Sequence, residues 1–116
     1  MNDGNLSHLT GVIAISEDPF IRKYLGDLLK KRGYRAIGSD APHTIEWIET
    51  GNETVDLVIT NHPDEFASVA DKVPVLYLAA TPDPEAGAHF SAFRALRKPF
   101  QPNQLLAAVQ ELAGTV

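Results

Sequence analysis

Val12-Ile13-Ala14-Ile15-Ser16-Glu17-Asp18-Pro19-Phe20-Ile21 is the stretch on which the fold turns. Its first four residues are apolar with no polar alternation. Such a run fits a strand buried on both faces, as in a parallel sheet covered by helices. Asp18-Pro19 then reads as an N-cap followed by proline at the first helical position. Phe20, Ile21, Tyr24, Leu25, Leu28 and Leu29 follow at helical spacing, which predicts an inward stripe, and Gly33 supplies the stop.

The same alternation continues outward. Leu57-Val58-Ile59 and Val75-Leu76-Tyr77-Leu78 repeat the short apolar run, while Arg35-Ala36-Ile37 and Phe93-Arg94-Ala95-Leu96 have the mixed polarity of edge strands. Pro42 opens a second helix, with Ile45 and Ile48 inward and Gly51 at its end. Asp64 to Lys72 has room only for a shortened third helix around Phe66, Val69 and Ala70. Thr81-Pro82-Asp83-Pro84 opens a brief fourth. Pro102 opens the last, with Leu105, Leu106, Val109 and Leu112 on one stripe. Five strand–helix units joined by right-handed crossovers predict a three-layer α/β sandwich around a five-stranded parallel sheet. Residues 1–10 are polar and aperiodic and read as a flexible N-terminal tail, with residues 11–116 as one domain.

Composition narrows the function. The chain has 116 residues, enough for one modest core, and its 44% hydrophobic and 22% charged residues are those of a globular domain. Ten Lys+Arg against fifteen Asp+Glu give a net charge of -5, which argues against general binding of nucleic acid or anionic membrane. The absence of cysteine excludes disulfides, thiolate metal sites and cysteine nucleophiles. No signal-peptide pattern and no apolar run of spanning length is present, so a cytoplasmic domain is expected.

In doubly wound sheets the chemistry sits at the carboxyl ends of the strands. Those ends carry Ser16, Glu17 and Asp18, then Asn61 and His62, then Ala79, Ala80 and Thr81, then Lys98 and Pro99. The first loop has no glycine and two acids, which argues against a phosphate cradle. The acids could hold a divalent cation or a lysine. Asp18 alone reads as a helix cap. Lys98, aimed at the same edge as Glu17, predicts a charge pair in a partly enclosed cleft.

Four blocks carry a resemblance: Ile13 to Arg22, Asp56 to Asn61, Pro74 to Ala80, and Leu96 to Phe100. In order and spacing they resemble the signature blocks of the response-regulator receiver domain, the CheY-like family, over roughly residues 11 to 113. The resemblance implies strand order 2-1-3-4-5. It also implies an acidic pair holding Mg²⁺, a phospho-accepting Asp after the third strand, a Thr or Ser after the fourth, an aromatic on the fifth and a lysine that contacts the phosphate. Those roles fall on Ser16 and Glu17, Asn61, Ala79, Ala95 and Lys98. Only Glu17 and Lys98 match. A neutral amide is no nucleophile toward phosphorus, and a hard cation wants charged oxygens, so Mg²⁺ binding is expected to be weak or absent.

The expectation is therefore a non-enzymatic pseudo-receiver of a two-component phosphorelay that acts through protein contacts. Its partners would be a histidine kinase, a response regulator, an effector domain or a second copy. The rival readings are a receiver phosphorylated on Asp64 or Asp18, and a small-ligand sensor using the acidic cleft. Phe90 and Arg94 are candidate interface residues, because Phe90 and Phe93 do not both fit easily into the core of so short a fourth unit. Trp47 could anchor a partner but reads better as packing over a neighbouring helix. His62, at the functional edge, is within reach of Glu17 or Asp64. Arg22, Lys23, Lys30, Lys31, Arg32 and Arg35 form a basic cluster, read as a solvated face or, more sharply, as a docking surface for an acidic partner.

Overall fold

The computed structural model describes residues 11–114; the expected N-terminal tail lies outside the described residues. The elements are β1 (Val12–Ser16), α1 (Pro19–Lys31), β2 (Ala36–Gly38), α2 (Ala41–Thr50), β3 (Val55–Thr60), a 3-10 segment (Pro63–Val69), β4 (Val75–Ala79), β5 (Phe93–Arg97) and α3 (Pro102–Ala113). All strand pairs are parallel and the order is β2-β1-β3-β4-β5. The five-stranded parallel sheet that the sequence predicted is therefore present, with β2 and β5 at its edges.

The pleat sends alternate residues to two cores. Ile13, Ile15, Leu57 and Ile59 join Leu25 and Leu29 of α1 and Leu105 and Val109 of α3 on one face. Ala14, Val58 and Val75 join Phe66 and Val69 on the other, with Ile45 and Ile48 of α2 packed against them. Thus α1 and α3 cover one side of the sheet, and α2 with the 3-10 segment covers the other.

The helix ends follow the local chemistry. The Asp18 carboxylate accepts the Ile21 N–H at 3.1 Å, and Asp40 accepts the His43 N–H at 2.9 Å. Gly51 closes α2 in the left-handed region, at φ 76°, where a side chain would be strained. At α3 Gln104 Oε1 takes the Gln101 N–H at 2.7 Å, and the Gln104 N–H donates to the Gln101 carbonyl at 3.0 Å.

Two expectations need correction, and the expected short third helix is present in 3-10 form. Phe20 and Tyr24 do not join the inward stripe; they are 81% and 40% exposed. The stripe is Ile21, Leu25, Leu28 and Leu29, and positions 20 and 24 are rotated off it, so that Tyr24 meets the Phe100 ring at 6.5 Å. The short third unit is a 3-10 segment opened by Pro63, with Phe66 at non-helical φ and ψ. No fourth helix forms between β4 and β5. Pro82 and Pro84 lack N–H donors, and Asp83 Oδ1 takes the Glu85 N–H at 3.0 Å, so single turns replace it.

Those turns seat both aromatics that were hard to place. Phe90 and Phe93 lie 5.3 Å apart, and both pack half-buried against the second core. Phe90 thus seals the core rather than standing exposed as an interface anchor. Trp47 is half-buried too, as packing over a neighbour requires.

The contrast between Phe66, fully buried, and Phe20, largely in solvent, gives a direct test. Phe66→Ala should cost roughly 3–5 kcal/mol. Phe20→Ala should change stability by no more than about 0.5 kcal/mol. Urea denaturation midpoints of the two variants check both values.

Candidate functional site

The carboxyl ends of β1, β2 and β3 surround a polar cleft of about 340 Å³, lined by Ser16, Glu17, Asp18, Arg22, Ser39, Asp40, Asn61 and His62. Each lining residue is delivered by the end of a strand or the first turn of α1. Sequence reasoning placed Ser16, Glu17, Asp18, Asn61 and His62 at this edge, and all five are there. It did not bring in Ser39 and Asp40 from the end of β2, or assign Arg22 to the cleft.

Glu17 is the buried charge of the site. Its side chain is fully enclosed, while Lys98, arriving from the end of β5, remains 24% exposed. Lys98 Nζ reaches Glu17 Oε2 at 3.0 Å, so the expected charge pair is present. The ammonium approaches off the hydrogen-bond direction, leaving Oε2 with an ionic partner and no directional hydrogen bond. The other oxygen, Oε1, accepts the Asp18 N–H at 3.2 Å. The Lys98 backbone is itself fixed, because its N–H donates to the Ala79 carbonyl at 2.8 Å.

The remaining acids are committed elsewhere. Asp18 caps α1. Asp40 caps α2 and meets His43 Nδ1 at 2.7 Å. The His43 backbone N–H, then its ring, hold the Asp40 carboxyl below the usual carboxylate range.

Asn61 follows β3 directly and is half-buried between this cleft and a second polar depression. Among the described residues its amide takes no hydrogen bond. His62 is exposed, and its backbone N–H donates to Thr60 Oγ1 at 3.0 Å. Neither Glu17 nor Asp64 pairs with its ring.

A divalent cation, which the family resemblance implies, finds little here. Such ions want anionic oxygens that are not already committed. Glu17 already holds an ammonium, two acids serve as caps, and Ser16 and Asn61 are neutral. Among the described residues no group of three His, Asp or Glu could hold a metal. The cleft thus offers Mg²⁺ few uncommitted anionic oxygens.

Ala79 ends β4 and Ala95 lies exposed in β5, in register with Tyr77. Sequence reasoning missed Tyr77. It is buried, it packs against Phe93 at 6.1 Å, and it lines the second depression with Asn61, Asp64 and Asp83. The alternation in Val75-Leu76-Tyr77-Leu78-Ala79 was its available signal, since residue 77 shares a face with residue 79.

Arg22 reaches the cleft because of Gly38. A Cβ on Gly38 would stand 2.3 Å from Arg22 Cδ, so the arginine stem lies directly on bare backbone at the end of β2. Beside the cleft, Phe20, Ile21, Tyr24, Pro99 and Phe100 line a shallow apolar depression of about 600 Å³.

Removing the cation from Glu17 tests how much the pair contributes. Lys98→Met should destabilise by about 2 kcal/mol, because it strands an enclosed carboxylate. Adding Glu17→Gln should recover a good part of that loss, giving a coupling of about 1 kcal/mol or more in a double-mutant cycle read by urea unfolding. Strictly additive losses would mean that the two groups do not interact.

Neither a family model nor a curated protein matches the chain. Solved structures do. Chemotaxis protein CheY4 of Vibrio cholerae is similar at 22% identity over 87% of this chain and 96% of its own, with a TM-score of 0.70. The signal receiver domain of an HD domain-containing protein from Pseudomonas fluorescens matches at 22% identity, covering 87% and 91%, again with a TM-score of 0.70. A response regulator receiver protein from Sinorhizobium medicae matches at 19% identity, covering 90% and 96%, with a TM-score of 0.68. At these identities the likeness concerns architecture, and this chain has the fold of the CheY-like receiver domains.

Proposed function

We propose that the chain is a receiver-type module of a two-component system that signals through protein contacts, without phosphorylation at the usual strand end. One observation carries the reading. Where the fold presents its phospho-acceptor, this chain has the amide of Asn61, and Glu17 beside it is already paired with Lys98.

A carboxylate can attack phosphorus and form an acyl phosphate; an amide cannot. A metal would have to displace the lysine to reach Glu17, so Mg²⁺ binding is weak or absent in this reading. Ala79 and Ala95 supply no hydroxyl and no ring for a phosphorylation-driven rearrangement. The module is then a binding surface rather than an enzyme. Its partners are a histidine kinase, a response regulator, an effector domain or another copy. Of the matching structures, one is a chemotaxis protein and another is the signal receiver domain of a two-component histidine kinase.

A second reading has one supporting observation. Asp64 is exposed and lines the depression that Asn61 also lines. Phosphorylation on Asp64, or on Asp18, would make the chain a working receiver with a displaced acceptor.

Acetyl phosphate with Mg²⁺, followed by intact-mass spectrometry in the cold, separates the two. The expected result is no phosphoryl adduct on the wild type and a gain of adduct in the Ser16→Asp/Asn61→Asp variant. A stoichiometric wild-type adduct that disappears in Asp64→Asn or Asp18→Asn would establish the second reading.

A further inference from the structure

The charges of this chain are sorted by face. Residues 19–35 hold six of its ten basic residues and a single acid, Asp27. Residues 36–71 hold eight acids and no lysine or arginine. The sheet separates the helix-borne charges, since α1 packs on one core and α2 with the 3-10 segment packs on the other, while at the start of β2 Arg35 of the first set pairs with Glu53 of the second at 3.8 Å. On the α1 side Arg22, Lys30, Lys31 and Arg32 are exposed. None of the four forms an ion pair among the described residues, whereas Lys23 pairs with Asp27. On the opposite side Glu46, Glu49, Asp64, Glu65 and Asp71 are exposed and without ion pairs among those residues.

Local helix electrostatics does not account for this sorting. Lys30 and Lys31 suit the negative end of α1, but Arg22 and Lys23 stand near its positive end. In α2 the acids Glu46 and Glu49 lie toward the carboxyl end, which disfavours them, and the first turn has none. The pattern makes sense as two complementary outer surfaces.

We propose that the basic α1 face of one copy docks on the acidic face, α2 with the 3-10 segment, of a second copy. The occupant is argued from charge complementarity, because the same molecule carries both signs on opposite sides. The two surfaces differ, so the contact is heterologous and does not close on itself; each pair leaves one face of each sign free for a further copy. The net charge of -5 opposes association at long range, while the facing charges act within a few ångströms. The inference rests on the charge map alone and holds whether or not the cleft is phosphorylated.

Sedimentation velocity across a concentration series, at low and at high salt, is the test. At low ionic strength the wild type should show a sedimentation coefficient that climbs with concentration without levelling at a dimer. At about 1 M salt, where screening falls to roughly 3 Å, the rise should disappear. Lys30→Glu/Lys31→Glu should abolish it, and so should Glu46→Lys/Glu49→Lys. In the second variant two reversals, each worth two charges, take the net charge from -5 to -1. That change would favour association if overall repulsion governed it, so its loss marks the face. Mixing the two variants pairs an acidified α1 face with a basic α2 face and should restore the rise. This also shows that both are folded. A wild type that stays monomeric at low salt, or a mixture that fails to associate, overturns the proposal. The phosphorylation reading is decided separately by mass.

Discussion

A carboxylate enclosed by protein must find a positive charge, and that requirement fixes the upper edge of this molecule. Glu17 stands at the end of β1 and Lys98 at the end of β5, with β3 and β4 between those strands in the sheet. The lysine must therefore reach across the edge, and its backbone is fixed to β4 at the Ala79 carbonyl. Glu17 in turn ties its other oxygen to the start of α1. One ion pair thus links the first and last strands with the helix that follows the first. Glu17 lines the cleft and Lys98 lines the apolar depression beside it, so the pair joins the two.

Much of the architecture was legible because it rests on local signals. Runs such as Val12 to Ile15, a cap at Asp18, and prolines at positions 42 and 102 specify strands and helix starts within a few residues. Glu17 and Lys98 were legible too, because strand order and strand direction bring their ends to one edge. The failures were non-local or competitive. Arg22 joined the cleft only because Gly38, on another strand, has no Cβ to exclude it. Asp40 entered because β2 is an edge strand that ends beside β1. Phe20 and Tyr24 fit a helical period, yet that period cannot say how wide the buried stripe is. Between β4 and β5, two prolines and an Asp side chain competed with helix formation and won. Burial of Glu17 was deeper than its sequence implied, since enclosure depends on everything packed around it.

The fold keeps the receiver framework while the polar groups of its cleft are spent on one another. Glu17 takes Lys98, and Asp18 and Asp40 take backbone N–H groups. Few charges at the strand ends remain uncommitted. Uncommitted charge is instead found on the flanks, positive along α1 and negative along α2 and the 3-10 segment. An acidic chain can therefore present a basic surface, a distinction that net charge alone conceals.

The turns that replace a fourth helix have a separate consequence. The segment between β4 and β5 is held by single i to i+3 hydrogen bonds, by Arg97 Nε on the Ala80 carbonyl at its start and by the Ser91 N–H on the Ala70 carbonyl near its end. Opening it would break no sheet pairing before Val75 N–H and the Ala92 carbonyl are reached. Residues 80–89 can thus open locally while Phe90 stays packed on the second core. Changes of length within the segment leave the sheet pairing intact, provided that Phe90 and Phe93 or equivalent rings continue to seal the second core.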